Sequence, residues 1–160
     1  MRVPSRRSLS FEEARAFSKD VRKRGGIVVF TNGAFDVLHP GHIHSLKEAR
    51  GLGDALVVGV NSDRSVRANK GPDRPINRAE ARATVLLGLL FVDAVVVFDE
   101  DTPLDLIARI EPDVLVKGAD WSADNIVGRD LVEARGGRVV RLDLTPGFSS
   151  TSLIQRTRGK

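Results

Sequence analysis

At 160 residues, with 41% hydrophobic and 29% charged side chains, the chain has the length and balance of one globular domain. It has no cysteine, which excludes disulfides and thiolate metal sites, and no apolar run approaches the ~18–20 residues of a membrane span. The net charge of +4 comes from basic residues spread along the chain, without tyrosine or aromatic–basic interleaving, so nucleic acid is a poor partner and a small phosphorylated molecule a better one.

The basic N-terminus, MRVPSRRSLSFEE, is followed by no apolar signal-peptide core, which predicts a cytoplasmic protein. A helix is predicted from Ser10 to about Arg24, opened by the capping box Ser10-x-x-Glu13. The valine-rich run 27–31 (IVVFT) then reads as a buried strand, and 41–52 as a helix. A second strand follows at 55–60. The polar stretch 61–76 (NSDRSVRANKGPDRPI) is predicted to be a surface loop with a functional role. Residues 77–91 read as a helix capped by Asn77-x-x-Glu80, with Ala81, Val85, Leu86 and Leu89 on one face. Beyond it come a strand at 94–98, a helix begun by Thr102-Pro103 and reaching about Ile110, and a strand at 113–116. A short helix at 126–135, a strand at 138–142 and a last helix from Ser150 to Arg158 complete the chain. Alternating strands and helices imply right-handed crossovers and a three-layer α/β/α sandwich around a Rossmann-like parallel sheet of five strands, in a single domain spanning 1–160.

Ligands of open α/β sheets bind at the carboxyl ends of strands, and TNGAFDVLHPGH lies at such an end. Gly33 lets the backbone turn and a ligand approach. Pro40 and Gly41 stand where a helix begins, and a helix start offers free N–H groups to a phosphate. All three histidines of the chain fall in this stretch. His39 and His42, three apart, can face one ligand across a helical turn. Three roles fit them: metal ligation through H-x-x-H, general-base chemistry, and stabilisation of phosphate charge by imidazole N–H donors. His44 lies two residues on and should point away. Near the other end, Ser149, Ser150 and Thr151 bring three hydroxyls to a second helix start, a further candidate phosphate cradle of which simple N-capping explains one member.

TNGAFDVLHPGH resembles the (T/G)xFDxxHxGH motif of the nucleotidyltransferase superfamily. Further stretches carry the same resemblance: NSD at 61–63, RPIN-x-x-E-x-R at 74–82, DEDTP at 99–103, LVKGADW at 115–121, the glycine pair 136–137 and GFSSTSLI at 147–154. Together they span residues 27–158, which become the catalytic core, with 1–26 an N-terminal extension and helix. Within the superfamily they are most similar to the heptose 1-phosphate adenylyltransferases, often fused to a sugar kinase; the length here leaves room only for the transferase.

The resemblance implies ATP and heptose 1-phosphate as substrates, with Mg2+ arriving on ATP and no metal held by the protein alone. His39 and His42 would hold the triphosphate, and Lys70 would meet the phosphates of both substrates. Thr31, Asn32, Gly33, Ala34, Phe35, Lys117, Gly118, Gly147, Ser149, Ser150 and Thr151 would bind the nucleotide. Asp36, Asn61, Asp63, Arg74, Arg78 and Trp121 would face the sugar phosphate, with Arg67 and Arg82 as further cations. Each arginine equally suits a solvated or ion-paired surface, Asp36 a local cap, Lys117 a strand end and Trp121 plain packing. A homodimer with the first helix at the subunit contact is the expected assembly. Related cytidylyltransferases carry R-T-x-G-I-S-T near the end; Leu144 stands here in place of the arginine, which favours adenine. The alternatives are a cytidylyltransferase acting on glycerol phosphate or a polyol phosphate and, from another class, a nucleotide-binding sensor without turnover.

Overall fold

The computed structural model describes residues 7–159. Six parallel strands form one sheet: β1 (Arg7–Ser8), β2 (Val28–Gly33), β3 (Ala55–Asn61), β4 (Ala94–Phe98), β5 (Val114–Gly118) and β6 (Arg138–Leu142), in the spatial order β1-β4-β3-β2-β5-β6. The helices are α1 (Phe11–Lys23), α2 (Pro40–Arg50), α3 (Asp63–Lys70), α4 (Ala79–Leu87), α5 (Leu104–Ile110), α6 (Arg129–Ala134) and α7 (Ser150–Arg158).

The expected α/β sandwich is present, with six strands rather than five. The extra strand, β1, is two exposed polar residues paired with β4 at Arg7↔Ala94 and Ser8↔Val95, and an edge strand of that kind leaves no apolar run to read. The region 61–76 is likewise not a plain loop. Its first half is α3, capped by Ser62, whose Oγ accepts from the Ser65 N–H at 3.1 Å. Only Ser65 and Val66 of this helix are buried, so it shows no apolar stripe.

The continuous valine runs are explained by burial on both sheet faces. Val28, Phe30, Val57 and Val96 face one core with Leu106, Ile107 and Ile110 of α5. Val29, Leu56, Val58 and Val95 face the other, with Leu46 and Ala49 of α2 and Ala83 and Leu86 of α4. Carboxylates satisfy backbone donors near the strand starts: Asp113 accepts from Val28 N–H and Asp93 from Leu56 N–H, each at 2.8 Å. The α1 capping box forms as expected, with Ser10 and Glu13 each accepting from the other's N–H.

The Asn77 capping box does not form. Helix α4 begins at Ala79 with Arg78 as its N-cap residue and no cap from that side chain. The missing acceptor comes from α3: Asp63 Oδ1 accepts from the Ala79 N–H at 2.9 Å. Asn77 instead donates its amide to the Asp36 carbonyl. Pro103 rather than Thr102 is the α5 N-cap residue, and the Leu104 N–H reaches Thr102 Oγ1 only at 3.5 Å.

Candidate active site

From β2 the chain runs outward to β3 and β4, then returns to place β5 on the other side of β2. That reversal defines a crevice at the carboxyl ends of β2 and β5. Pairing of β2 with β3 continues to Gly33↔Val60, whereas its pairing with β5 is confined to Val29↔Val114 and Phe30↔Leu115. Beyond that point side chains bridge the two strands. Thr31 Oγ1 donates to the Val116 carbonyl at 3.0 Å, and Lys117 Nζ donates to Asn32 Oδ1. Lys117 is lowered to about 8 by burial, partly offset by Asp120. Its ammonium lies 5.6 Å from the centre of the half-exposed Trp121 ring, within cation–π range. Gly33, Asn61 and Gly118 close β2, β3 and β5 at this same edge. A Cβ on Gly118 would lie 2.6 Å from Asp120 Oδ1, so a larger residue there would have to displace the Asp120 carboxylate.

The loop from β2 into α2 brings the two histidines together. His39 is the N-cap residue, and its Nδ1 accepts from the His42 N–H at 3.4 Å. Nδ1 is therefore unprotonated, and the neutral ring carries its proton on Nε2. The two imidazoles stack with centroids 3.8 Å apart and planes at 20°. The Phe35 ring stands 5.3 Å from His42, and the Phe148 ring 6.1 Å from His39. Burial lowers His39; burial, His39 and Lys70 together lower His42 to about 4. Both rings are neutral hydrogen-bonding groups at pH 7. Of the first-turn amides of α2, Pro40 has no N–H and that of His42 is taken by His39, which leaves the Gly41 N–H for a ligand. A Cβ on Gly41 would come within 3.0 Å of the His39 ring. His44 points outward and pairs with Glu48 at 3.3 Å.

At the start of α7 the three hydroxyls separate into different tasks. Ser149 is the cap, accepting from the Ser152 N–H at 3.0 Å. Ser150 donates to the Val37 carbonyl at 2.8 Å and so ties α7 to the histidine loop. Thr151 is exposed. The chain reaches this helix through Gly147, whose φ of 84° lies in the left-handed region.

Two acidic candidates are committed within the chain. Asp36 is 2% exposed; it accepts from Ile76 N–H, Asn77 N–H and Arg74 Nε at 2.8–2.9 Å. Burial alone would raise its pKa, but those three donors together hold it below the usual value. Asp63 takes the Ala79 N–H and Arg82 Nη2, both on Oδ1. Arg82 is a fully buried strut. Its Nε donates to the Asn77 carbonyl at 2.9 Å, Nη1 to the Ala34 carbonyl at 2.6 Å and Nη2 to Asp63 at 2.8 Å. The sequence offered Arg82 either a ligand or an ion pair; it takes the ion pair, with Asp63, but buried rather than at the surface, and partners 5, 48 and 19 residues away leave no local pattern. Asn61 donates to Ser65 Oγ, whereas Arg67 and Arg78 are exposed. Lys70, on the exposed last turn of α3, is lowered by partial burial and by the neighbouring Arg74 charge, against a smaller opposing effect of Asp36.

A neutral imidazole pair at a helix start thus stands at a switch-point crevice, an arrangement with the donors a phosphate would need and the setting of an α/β nucleotide-handling protein. The chain belongs to the cytidylyltransferase-like family, which it matches over residues 30–156. Among similar proteins are the bifunctional protein HldE of Rhodopseudomonas palustris strain HaA2, 56% identical over 86% of this chain and 28% of its own length, and HldE of Syntrophotalea carbinolica, 56% identical over 84% and 28%. The chain thus spans somewhat over a quarter of these relatives. A lipopolysaccharide core biosynthesis protein from Thermoplasma volcanium has a similar structure, with TM-score 0.63 and 32% identity over 76% of this chain and 98% of that one. A pantoate-beta-alanine ligase from Francisella tularensis shares the fold alone, with TM-score 0.63 and 13% identity over 96% and 77%.

Proposed function

We propose that the protein transfers AMP from ATP to D-glycero-D-manno-heptose 1-phosphate in the cytoplasm, releasing pyrophosphate and forming ADP-heptose for lipopolysaccharide and related surface sugars. The observation that carries this reading is the stacked His39–His42 pair at the start of α2. The 56% identity to HldE and the likeness to a lipopolysaccharide core biosynthesis protein support the sugar.

In this mechanism His39 Nε2, the His42 ring and the Gly41 N–H donate to the triphosphate. The heptose phosphate oxygen attacks the α-phosphorus in line, the bond to the β-phosphate oxygen breaks, and pyrophosphate leaves with the electron pair. The acceptor is already an anion, so no general base is required. The barrier lies in bringing two anions together, and preorganised donors and alignment lower it. Neutral imidazoles suit this role, since they donate without needing protonation. Lys117 and Asn32 line the nucleotide side of the crevice, with Trp121 flanking them. Thr151 and the N–H groups at the start of α7 close over the phosphates, and Lys70 meets both substrates. Mg2+ would supply neutralisation of triphosphate charge on entering with ATP; Asp36 and Asp63 are already engaged within the chain, and among the described residues no group of three or more His, Asp or Glu side chains is placed to hold a metal ion.

Pyrophosphate release from a panel of nucleoside triphosphates and sugar or polyol phosphates tests the proposal. The expected result is turnover with ATP and heptose 1-phosphate well above every other pair. Preference for CTP with glycerol phosphate would replace the reading by the cytidylyltransferase alternative. Nucleotide binding with no pyrophosphate from any pair would replace it by the sensor.

A further inference from the structure

As a donor to the triphosphate, the His42 ring has to be held in one direction. No hydrogen bond at its inner nitrogen does this: Nδ1 is buried without a partner among the described residues. An imidazole is ordinarily oriented by the bond its second nitrogen makes, so here packing has to serve. Two rings pack on it. His39 stacks with centroids 3.8 Å apart, and Phe35 meets it at 5.3 Å with the planes tilted by 59°. Phe35 reaches that place through an unfavourable backbone. Its φ of 48° lies in the left-handed region, where a bulky side chain is rarely found. Such a residue persists only where its surroundings over-determine it, and both of its chain neighbours are pinned. The Ala34 carbonyl accepts from Nη1 of the buried Arg82 at 2.6 Å. The Asp36 carboxylate accepts from the Ile76 and Asn77 N–H groups and from Arg74 Nε, and its carbonyl accepts from the Asn77 amide. The segment 74–82 therefore fixes the backbone before and after Phe35. Gly33 leaves room for the ring, since a Cβ there would lie 3.1 Å from Phe35 Cε2. Filling the core would not require this conformation: Phe30 and Phe98 are buried from ordinary strand positions.

Resting on the proposed adenylyl transfer, we infer that Phe35 is a positioning residue: its ring aims His42 at the triphosphate, and Arg82 and Asp36 hold it in the left-handed conformation that places the ring there. The Phe35 side chain thus acts on turnover through His42 and not as a nucleotide contact of its own. Without that ring the imidazole, lacking a bond at Nδ1, is free to turn, and its donor meets the phosphate only part of the time.

The test is a double-mutant cycle of Phe35→Leu and His42→Ala in the full chain, read as pyrophosphate release from ATP and heptose 1-phosphate. Leucine keeps apolar bulk and loses the flat ring. With His42 present, Phe35→Leu should lower kcat roughly tenfold or more, as small misplacements of a positioned group do, with the KM for ATP within about twofold. In the His42→Ala background the same change should cost less than about twofold, because residues that act as one unit are not additive. Equal losses in both backgrounds would show Phe35 acting apart from His42 and overturn the inference. An unchanged kcat, with or without a raised KM for ATP, would overturn it too. If Phe35→Leu does not fold, Gly33→Ala, whose Cβ presses on the same ring, takes its place in the cycle with the same expectations. A second readout is independent of turnover. The His42 ring of the ligand-free wild type should give one sharp set of proton–carbon signals, which Phe35→Leu should broaden or split; one sharp set in the variant overturns the inference. Failure of the adenylyl-transfer reading shows separately, as a wild-type chain that releases no pyrophosphate from ATP and heptose 1-phosphate while its His42 signals still respond to Phe35→Leu.

Discussion

At the scale of single residues, the burial of His42, a donor in the proposed mechanism, also bears on stability. Its folded pKa is about 4 against 6.5 for an ordinary histidine. Between those values the unfolded chain takes up a proton that the folded chain refuses, so stability falls as the pH drops from about 6.5 toward 4. Asp36, held below its usual 3.8, adds a further loss only under more acidic conditions. Urea unfolding of the ligand-free chain should show that decline starting near pH 6.5, and His42→Asn should flatten its upper part. A wild-type profile flat from pH 7 to 4.5 would contradict the buried, neutral imidazole. The histidine pair was legible because its meaning is local: three-residue spacing on a helix start. The roles of Asp36 and Asp63 were not. Both read as polar groups near a ligand, but Asp36 meets residues 38 to 41 positions on and Asp63 meets residues 16 and 19 on. Only the fold brings those partners together.

At the scale of elements, α3 and α4 depend on each other through one carboxylate. Asp63 caps α4 at Ala79 and neutralises the buried Arg82, which in turn holds the Ala34 carbonyl of the histidine loop. Asp63→Ala removes the cap and leaves a guanidinium short of its counter-charge. With Asp63 one-third exposed, the expected cost is about 2–3 kcal/mol, a fall in Tm of roughly 5–10 °C. Arg78→Ala, at an exposed N-cap position whose side chain makes no cap bond, should stay within about 0.5 kcal/mol. Thermal and urea unfolding of the two variants checks the contrast, and equal effects would show that the α3–α4 bridge is not what holds this region. Helix α3 escaped the sequence reading because its stability comes from such caps and not from an apolar stripe. Strands β2 to β6 and α1 were legible because a valine-rich run and a capping box each reveal themselves within ten residues, whereas β1 carries no such signal.

At the scale of the whole molecule, strand order decides where chemistry happens. The reversal beside β2 sets the histidine loop, the Asn32–Lys117 bridge and the start of α7 around one crevice. Alternating strands and helices foretold a cleft at this edge, but not that β2 and β5 part company after Phe30↔Leu115. The central claim is that His39 and His42 stabilise charge on the triphosphate as the α-phosphorus is attacked. Steady-state kinetics of His39→Ala, His42→Ala and His44→Ala with ATP and heptose 1-phosphate tests it most directly. Removing one donor to a developing charge lowers turnover by roughly 10²–10³, so the first two variants should fall by that much, with ATP affinity far less affected and His44→Ala close to wild type. A His44→Ala defect as large as the other two, or a chelator-sensitive zinc bound to the protein, would contradict the account.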